Sequence, residues 1–270
     1  MLSCIECVQD LSALKKNRVA KEWNDASEVW VDFVRQGKDY FREELNNPGM
    51  LRLIGSVKGL EVLDIACGEG YNTRILARKG AKVTGVDLSR KLLKHAKSQE
   101  KMDQLGIRYY ISNSADLSRF PAKRFDVVTC FMALMDIEDY QGTIREVARV
   151  MSDTGRFLFS IVHPCFDIIA NSGEIEKTAT YFGVRSEPVP WRMERLLRPF
   201  DTTSFHRTLT DYSTALHKHG LVIRRLLEPK PTRNGAAKFP LLKQVRLKPH
   251  SIIFETIKDN AKNQGADGPK

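Results

Sequence analysis

The chain has 270 residues, of which 42% are hydrophobic and 28% are charged, and its formal net charge is +10. This composition is typical of a globular protein with a sizeable core, and it excludes global disorder and collagen-like repetition. No apolar run approaches the roughly 18 residues that a membrane-spanning helix needs, which excludes a membrane span. The first twenty residues lack the unbroken apolar stretch of a secretion signal, so we expect a cytoplasmic protein.

The cysteines do not form a recognisable framework. The five cysteines have no spacing typical of disulfide-stapled proteins, which predicts reduced thiols. Cys4 and Cys7 form a C-x-x-C pair, but no second pair or histidine cluster follows to complete a zinc site. We therefore expect no metal, and the role of this pair is left open.

Strand-like and helix-like segments alternate from residue 59 to residue 228, which predicts a parallel sheet covered by helices. The segment after the fifth strand shows no periodicity and contains four prolines, so we expect an irregular lid or substrate-binding insertion there. In chain order, we expect an N-terminal helical cap (1–56), a cofactor-binding core (57–162), the lid insertion (163–206), the C-terminal part of the core (207–257) and a disordered tail (258–270).

A glycine-rich turn follows the first predicted strand in E-V-L-D-I-A-C-G-E-G-Y-N-T, residues 61–73. Such a turn lets a ligand approach the backbone closely and presents N–H groups at a helix N-terminus. The dinucleotide fingerprint G-x-G-x-x-G is incomplete, because Thr73 stands at its last position. Asp64 would repel a pyrophosphate, and its carboxylate instead favours a cationic ligand without phosphate.

This turn resembles the first motif of class I S-adenosylmethionine-dependent methyltransferases, a hydrophobic strand followed by D/E-x-G/A-x-G-x-G. Asp64, Ala66, Gly68 and Gly70 match that motif, with Ala66 in place of the first family glycine and Cys67 between the matched positions. The resemblance covers about residues 62–257 and implies an α/β fold, a doubly wound, seven-stranded, mostly parallel Rossmann-like sheet. The segments V-H-P-C-F and F-H-R-T-L-x-D-Y are similar to those of the small-molecule, type-11-like branch.

The resemblance also implies S-adenosylmethionine as the cofactor. Asp87, at the end of the second strand, matches the acid that binds both ribose hydroxyls in the family. Replacing Asp87 with Ala is therefore expected to weaken binding at least about tenfold, and replacement with Asn to be milder. The other positions that match cofactor contacts follow the second, third and fourth strands: Leu88, Ala115, Asp116, Leu117, Phe131 and Met132.

Methyl transfer is an in-line displacement, so the protein must align the reactants, exclude water and, for some acceptors, supply a base. His163, directly after the fifth strand, and His206 are the candidate bases, because a histidine titrates near neutral pH. The candidate acceptor-binding residues come from the cap and the insertion: Trp30, Tyr40, Tyr181, Trp191 and Arg192.

The positive charge is concentrated in residues 185–248, which contain fourteen Lys or Arg residues and five Asp or Glu residues. A one-sided basic region favours an anionic ligand, a nucleic acid or an acidic membrane surface. We expect a small-molecule acceptor, and whether it carries a negative group is left open. An RNA or protein acceptor bound by the basic region is the second hypothesis. A cofactor-binding protein without catalysis is the third, and the sequence does not indicate the oligomeric state.

Overall fold

The computed structural model describes residues 18–166, 181–193 and 195–259. Cys4, Cys7, most of the insertion's first half and nearly all of the expected tail lie outside the described residues. The described helices are α1 (Arg18–Arg35), α2 (Asn47–Ile54), α3 (Tyr71–Arg78), α4 (Arg90–Asp103), α5 (Tyr140–Val150), α6 (Leu209–Lys218), α7 (Arg233–Lys238) and α8 (Pro240–Val245). The described strands are β1 (Glu61–Ile65), β2 (Lys82–Asp87), β3 (Arg108–Ile111), β4 (Phe125–Cys130), β5 (Met151–Val162), β6 (Arg185–Trp191), β7 (Phe200–His206), β8 (Leu221–Leu227) and β9 (Ser251–Lys258).

Seven of the described strands form one sheet in the order β3-β2-β1-β4-β5-β9-β8. Strands β1 to β5 pair in parallel, whereas β9 runs antiparallel to both of its neighbours, β5 and β8. The predicted doubly wound, mostly parallel α/β sheet is therefore confirmed. The strand order reverses between β1 and β4, and open sheets of this type bind ligands at such a point, beyond the carboxyl ends of the strands.

The core lies on both faces of this sheet. Along β1, Leu63 and Ile65 pack into one apolar cluster and Val62 packs into the other, and all three side chains are fully buried. Burial on both faces explains why apolar residues stand next to one another in the central strands rather than alternating with polar ones. No helix among the described residues is long and apolar enough to cross a membrane.

The insertion after β5 differs from its prediction. Instead of an irregular loop, its described part contains an antiparallel hairpin, in which Arg185 to Trp191 pair with His206 to Phe200. Pro188 and Pro190 occupy alternate positions of β6, so their backbone nitrogens point to the same side of the strand, away from β7. Prolines usually interrupt strands because they have no backbone N–H. On this side of an edge strand an N–H group would have no hydrogen-bond partner, so its absence costs nothing.

The hairpin packs against α1 through a cluster of aromatic rings, which we call the aromatic cluster. Trp30 and Trp191 meet edge to face with ring centroids 5.1 Å apart, and Trp23 contacts both rings. Phe200 stacks on Trp191 at 5.5 Å. Glu22 of α1 also accepts hydrogen bonds from the backbone N–H and the hydroxyl of Thr203, at 2.8 and 2.9 Å. The cap helix and the insertion are therefore joined to each other.

Smaller differences concern element boundaries. The amphipathic pattern of residues 38–45 predicts a helix, whereas the structure has a π-helical turn at Arg42–Asn46. The sequence D-T-G at residues 153–155 predicts a turn before the fifth strand, but β5 begins at Met151 and includes these residues. Helices α7 and α8, between β8 and β9, were not predicted, because their short basic segments carry no clear apolar periodicity.

Candidate functional site

The glycine-rich turn between β1 and α3 has a left-handed backbone. Ala66, Gly68 and Gly70 have φ angles of 51°, 58° and 82°. A Cβ atom at Gly70 would collide with the Tyr109 hydroxyl, whereas a Cβ atom at Gly68 would meet nothing within 4 Å. Gly70 is therefore required by packing, and Gly68 faces open space in which a ligand can approach the backbone. Ala66 adopts a conformation that is unfavourable for any residue with a side chain.

Asp87, at the carboxyl end of β2, holds this turn. Its Oδ2 accepts a hydrogen bond from the Gly68 N–H at 2.7 Å, and its Oδ1 accepts one from the Ser89 N–H at 2.7 Å. Burial raises the pKa of Asp87 to about 6. Because each carboxylate oxygen has a second lone pair, Asp87 retains the capacity to accept two further hydrogen bonds.

Asp64 lies beneath the turn rather than in it. Its side chain is 1% exposed, and its two oxygens accept hydrogen bonds from the hydroxyls of Thr73 at 2.6 Å and Thr129 at 2.8 Å. Burial raises the pKa of Asp64 to about 6. The carboxyl group thus ties β1 to α3 and β4, and this arrangement does not support a direct contact with a ligand.

The segment after β3 contains three of the predicted cofactor positions, and the structure separates them. Ala115 is half-buried, and its N–H donates to the Asn113 side chain at 3.0 Å, while Asp116 is exposed. Leu117 differs, because its side chain is fully buried in the core and its N–H donates to Glu146 at 2.9 Å. The assignment of Leu117 as a cofactor contact is therefore corrected, since the motif showed which residues follow the strand but not which point inward.

The segment after β4 is strained. Met132 has a φ angle of 48°, in the left-handed region, and its N–H donates to the Ser160 hydroxyl at 2.9 Å. Such strain in a residue other than glycine persists only where the surrounding structure imposes it, and it concentrates at functional sites. Phe131 and Met132 are half-buried, as are Cys67 and Leu88.

Glu69, within the glycine-rich turn, was missed by sequence analysis. Its side chain is 2% exposed and forms ion pairs with Arg74 and Arg35, each at 2.9 Å. Arg35 lies at the end of α1, thirty-four positions away, so no local sequence signal could have indicated this contact. The cap helix is also joined to the start of α4, where the Asn24 side chain accepts hydrogen bonds from the Ser89 hydroxyl and the Lys91 N–H.

His163, the first candidate base, is 3% exposed. Its Nε2 lies 3.0 Å from Oε1 of Glu228, and its Nδ1 accepts a 3.3 Å hydrogen bond from the Cys165 N–H. With both ring nitrogens engaged and the ring buried, His163 has the contacts of a structural histidine. Its assignment as a base is not supported by this geometry.

His206, the second candidate base, lies at the end of β7 and is half-buried. Its Nε2 is 2.9 Å from the carbonyl oxygen of Tyr181. That contact favours the tautomer with hydrogen on Nε2 and leaves Nδ1 as the atom with a lone pair. The Tyr181 hydroxyl in turn accepts a hydrogen bond from the Leu209 N–H at 3.0 Å.

The predicted acceptor-binding residues fall into separate groups. Trp30 and Trp191 contact each other in the aromatic cluster. Tyr40 instead stacks on Phe239, with the centroids 4.7 Å apart. Arg192 is paired with Asp201 at 2.7 Å. Arg42 was not predicted as a site residue, and its guanidinium lies over the rings of Trp30 and Tyr71, at 5.1 and 5.3 Å from their centroids.

The basic region between residues 185 and 248 is not one open cationic face. Arg207 is 2% exposed and donates to backbone carbonyls, among them that of Ile137 at 2.7 Å. Arg225 pairs with the buried Glu255, and Arg185 pairs with Glu187. Several of these cations therefore hold the fold together. Among the residues that the structure describes, no group of three or more His, Cys, Asp or Glu side chains could hold a metal ion.

Comparisons with known proteins show which family this part of the chain resembles. Residues 63–159 match the family described as "Methyltransferase domain". A ubiquinone biosynthesis O-methyltransferase from Coxiella burnetii is 33% identical over 156 residues, which are 57% of this chain and 64% of that protein. A demethylmenaquinone methyltransferase from Tropheryma whipplei is 37% identical over 107 residues, 40% of this chain and 44% of that protein. The chain thus spans less than two thirds of these curated relatives.

A solved structure gives the same result for the fold. An S-adenosylmethionine-dependent methyltransferase from Mesorhizobium loti superposes with a TM-score of 0.61 at 25% identity, covering 77% of this chain and 95% of that chain. Residues 63–159 are therefore a methyltransferase domain of the class I, S-adenosylmethionine-dependent type, and the recognition made from the sequence motifs is confirmed.

Proposed function

We propose that the whole protein is an S-adenosylmethionine-dependent methyltransferase that acts on a small-molecule acceptor. The observation that carries this proposal is the convergence of Asp87 and the Gly68 backbone at the carboxyl edge of β1 and β2, where the two are joined by a 2.7 Å hydrogen bond. A carboxylate beside an open, left-handed glycine suits a ligand with a diol and no phosphate, because the acid accepts from hydroxyls and repels phosphate.

The residues present fit S-adenosylmethionine. Asp87 would accept hydrogen bonds from the ribose hydroxyls, and the turn at Gly68 would lie against the amino acid portion. Ala115 and Asp116 would flank the adenine, and Met132 would bound the site from β4. When bound, S-adenosylmethionine supplies a methyl group on a sulfonium centre, and the chain's contribution is to align the acceptor and exclude water.

The small-molecule acceptor is supported by two arguments. The names of the two relatives refer to ubiquinone biosynthesis and to demethylmenaquinone, and both quinones are small molecules. In addition, the hairpin lies against the segment after β4, where the Ser204 hydroxyl donates to the Met135 carbonyl at 3.4 Å and Arg207 donates to the Leu134 carbonyl at 3.3 Å. The hairpin and the cap helix would therefore cover the acceptor side of the cleft as a lid. A covered cleft excludes a polymer more readily than a metabolite.

If the acceptor must lose a proton, His206 is the base that we propose. Its Nε2 is held by the Tyr181 carbonyl, which leaves Nδ1 as the accepting atom. His163 would instead stabilise the segment after β5 through Glu228 and the Cys165 N–H.

The proposal is tested with the full chain. Titration calorimetry should show binding of S-adenosylmethionine and S-adenosylhomocysteine, and tighter binding of NAD would contradict the assignment. Methyl-labelled S-adenosylmethionine is then incubated with the protein and either a metabolite extract or bulk RNA. We expect label in small molecules. Label in RNA that persists at physiological salt would favour the polymer hypothesis, and cofactor binding without turnover on either pool would favour the non-catalytic one.

A further inference from the structure

A strongly basic segment connects β8 to β9, and the proposed function does not use it. Residues 230–248, which we call the basic segment, contain six Lys or Arg residues and no Asp or Glu residue. The six cations are Lys230, Arg233, Lys238, Lys243, Arg246 and Lys248. All of them except Arg246, which is half-buried, are exposed.

The basic segment has a defined orientation. The Leu242 side chain of α8 is fully buried, and the Phe239 ring stacks on Tyr40 with the planes 7° apart. Arg246 donates to the Pro231 carbonyl, which closes the segment on itself at 2.6 Å. The face that the segment presents to solvent is therefore determined by its anchors.

Two leucines of the basic segment are exposed. Leu241 is 52% exposed and Leu247 is 86% exposed. The turn after α8 keeps them on one short helical unit with the cations, since the N–H groups of Leu247 and Lys248 both donate to the Gln244 carbonyl. Exposed leucines that stand among cations, in a segment with no acidic residue, are typical of a membrane-binding surface. Such a surface inserts its apolar side chains between anionic lipid headgroups.

The chemistry of this face selects a lipid surface over a nucleic acid. Single-stranded nucleic acids are bound by cations together with aromatic rings on which bases stack. The aromatic residue of the basic segment, Phe239, is occupied by Tyr40 and lies beneath the cations of Arg195 and Lys238. The protruding side chains are aliphatic, and aliphatic chains gain from transfer into hydrocarbon but offer nothing to a base.

The position of the segment relates this surface to the cleft. Strand β9 is antiparallel to both β5 and β8, so β8 runs parallel to β5. The basic segment therefore leaves the sheet at its carboxyl edge, the same edge as Asp87 and the glycine-rich turn. The buried side of α7 packs against the cap. At Gly235 of this helix, an added Cβ atom would lie 3.0 Å from Oε2 of Glu44, which precedes α2.

We propose that residues 230–248 form a peripheral docking site for an anionic phospholipid bilayer, with the cations bound to headgroups and Leu241 and Leu247 inserted at the interface. This inference does not rest on the methyltransferase proposal. A lipid surface at this edge would bring lipid-dissolved acceptors to the mouth of the cleft.

The test is co-sedimentation of the full chain with vesicles of phosphatidylcholine alone or mixed with phosphatidylglycerol. We expect pelleting only with the anionic vesicles, decreasing as salt is raised. The double variant Lys243→Glu and Lys248→Glu should lower the partition coefficient by more than about tenfold, since each cation near an anionic surface contributes about fivefold. The double variant Leu241→Ser and Leu247→Ser should lower it by about tenfold or more.

The matched control lies on α4, where Lys97, Lys101 and Met102 are also exposed. Lys97→Glu with Lys101→Glu, and Met102→Ser alone, should leave vesicle binding within about twofold of the wild type. Circular dichroism checks that every variant is folded, and calorimetry with S-adenosylhomocysteine shows whether the cofactor site is intact, so a failure of this proposal is distinguishable from a failure of the proposed function.

Two results would overturn the proposal. Equal losses in the α4 controls would show that net charge alone drives the binding. Unchanged binding of the leucine variant would show that nothing inserts, and competition of bulk RNA with the vesicles would then identify a polyanion site.

Discussion

Arg35, at the end of the cap helix, donates from Nε to the buried carboxylate of Glu69 in the glycine-rich turn, at 2.9 Å. Its Nη2 also donates to the His95 carbonyl of α4 at 3.2 Å. One side chain therefore joins the cap to the two elements that flank the proposed cofactor site. The cap helix contributes to the shape of the turn as well as covering it.

We predict that Arg35→Ala weakens cofactor binding severalfold and destabilises the fold by about 1 kcal/mol, because Glu69 stays buried with Arg74 as its remaining ion-pair partner. Calorimetry with S-adenosylhomocysteine and urea unfolding measure the two effects. The control is Lys21→Ala on the same helix, which removes an exposed ion pair with Asp25 and should change neither quantity. Equal effects of both variants would show that the Glu69 contact has no special role.

Asp87→Ala should weaken S-adenosylmethionine binding at least about tenfold, because the ribose hydroxyls lose a charged acceptor. The structure changes the expectation for Asn. Both Asp87 oxygens accept backbone N–H groups, from Gly68 and Ser89, so an amide NH₂ would face one of these donors. We now expect Asp87→Asn to cost as much as Ala, and calorimetry showing near wild-type affinity for Asn would contradict the assigned contacts.

Ala66→Gly should stabilise the protein by up to about 1 kcal/mol, because it relieves the left-handed φ of 51° at this position. Equilibrium urea unfolding measures the change. The same substitution at Ala148, inside helix α5, should instead destabilise by about 1 kcal/mol. If both variants lose stability equally, the strain at Ala66 is not real.

Asp64 should make stability depend on pH. Burial raises its pKa from 3.8 to about 6, so between these values the folded chain holds a proton that the unfolded chain has released. Stability from this group therefore falls as the pH rises through that window. The Asp64→Asn variant has no carboxyl group that titrates at this position. The difference in unfolding free energy between this variant and the wild type should therefore shift in favour of the variant by about 2 kcal/mol between pH 4 and pH 7. A pH-independent difference in urea unfolding would contradict the raised pKa.

Tryptophan fluorescence should report on the cap and hairpin alone. The chain has three tryptophans, and all of them lie in the aromatic cluster outside the main core. Because this cluster is only partly buried, we expect its fluorescence transition in urea to precede the loss of circular dichroism. Saturating S-adenosylhomocysteine should bring the two transitions closer. Superimposed transitions without ligand would show that cap and core unfold as one unit.

The sequence predicted the features that depend on local pattern. The strands β1 and β4 are short, mainly apolar segments, and Asp87 is the last residue of β2. The fold class and the proposed ribose-binding acid could therefore be predicted. The hairpin was not predicted, because Pro188 and Pro190 are acceptable only on an edge strand, and edge position is a tertiary property. The burial of His163 and Leu117 was equally inaccessible, since it depends on partners such as Glu228 and Glu146 that lie far along the chain.

The position of β9 also bears on how the protein is made. This strand lies between β5 and β8, and its buried Glu255 pairs with Arg156 on one side and Arg225 on the other. During synthesis from the N-terminus, both neighbouring strands leave the ribosome before β9 exists. Until residues 251–258 emerge, the edges of both strands stay unpaired and both arginines lack the Glu255 carboxylate, so the nascent sheet exposes two open edges for that time. Shortening the chain within β9 would therefore leave a permanently open sheet, which exposes the core to aggregation.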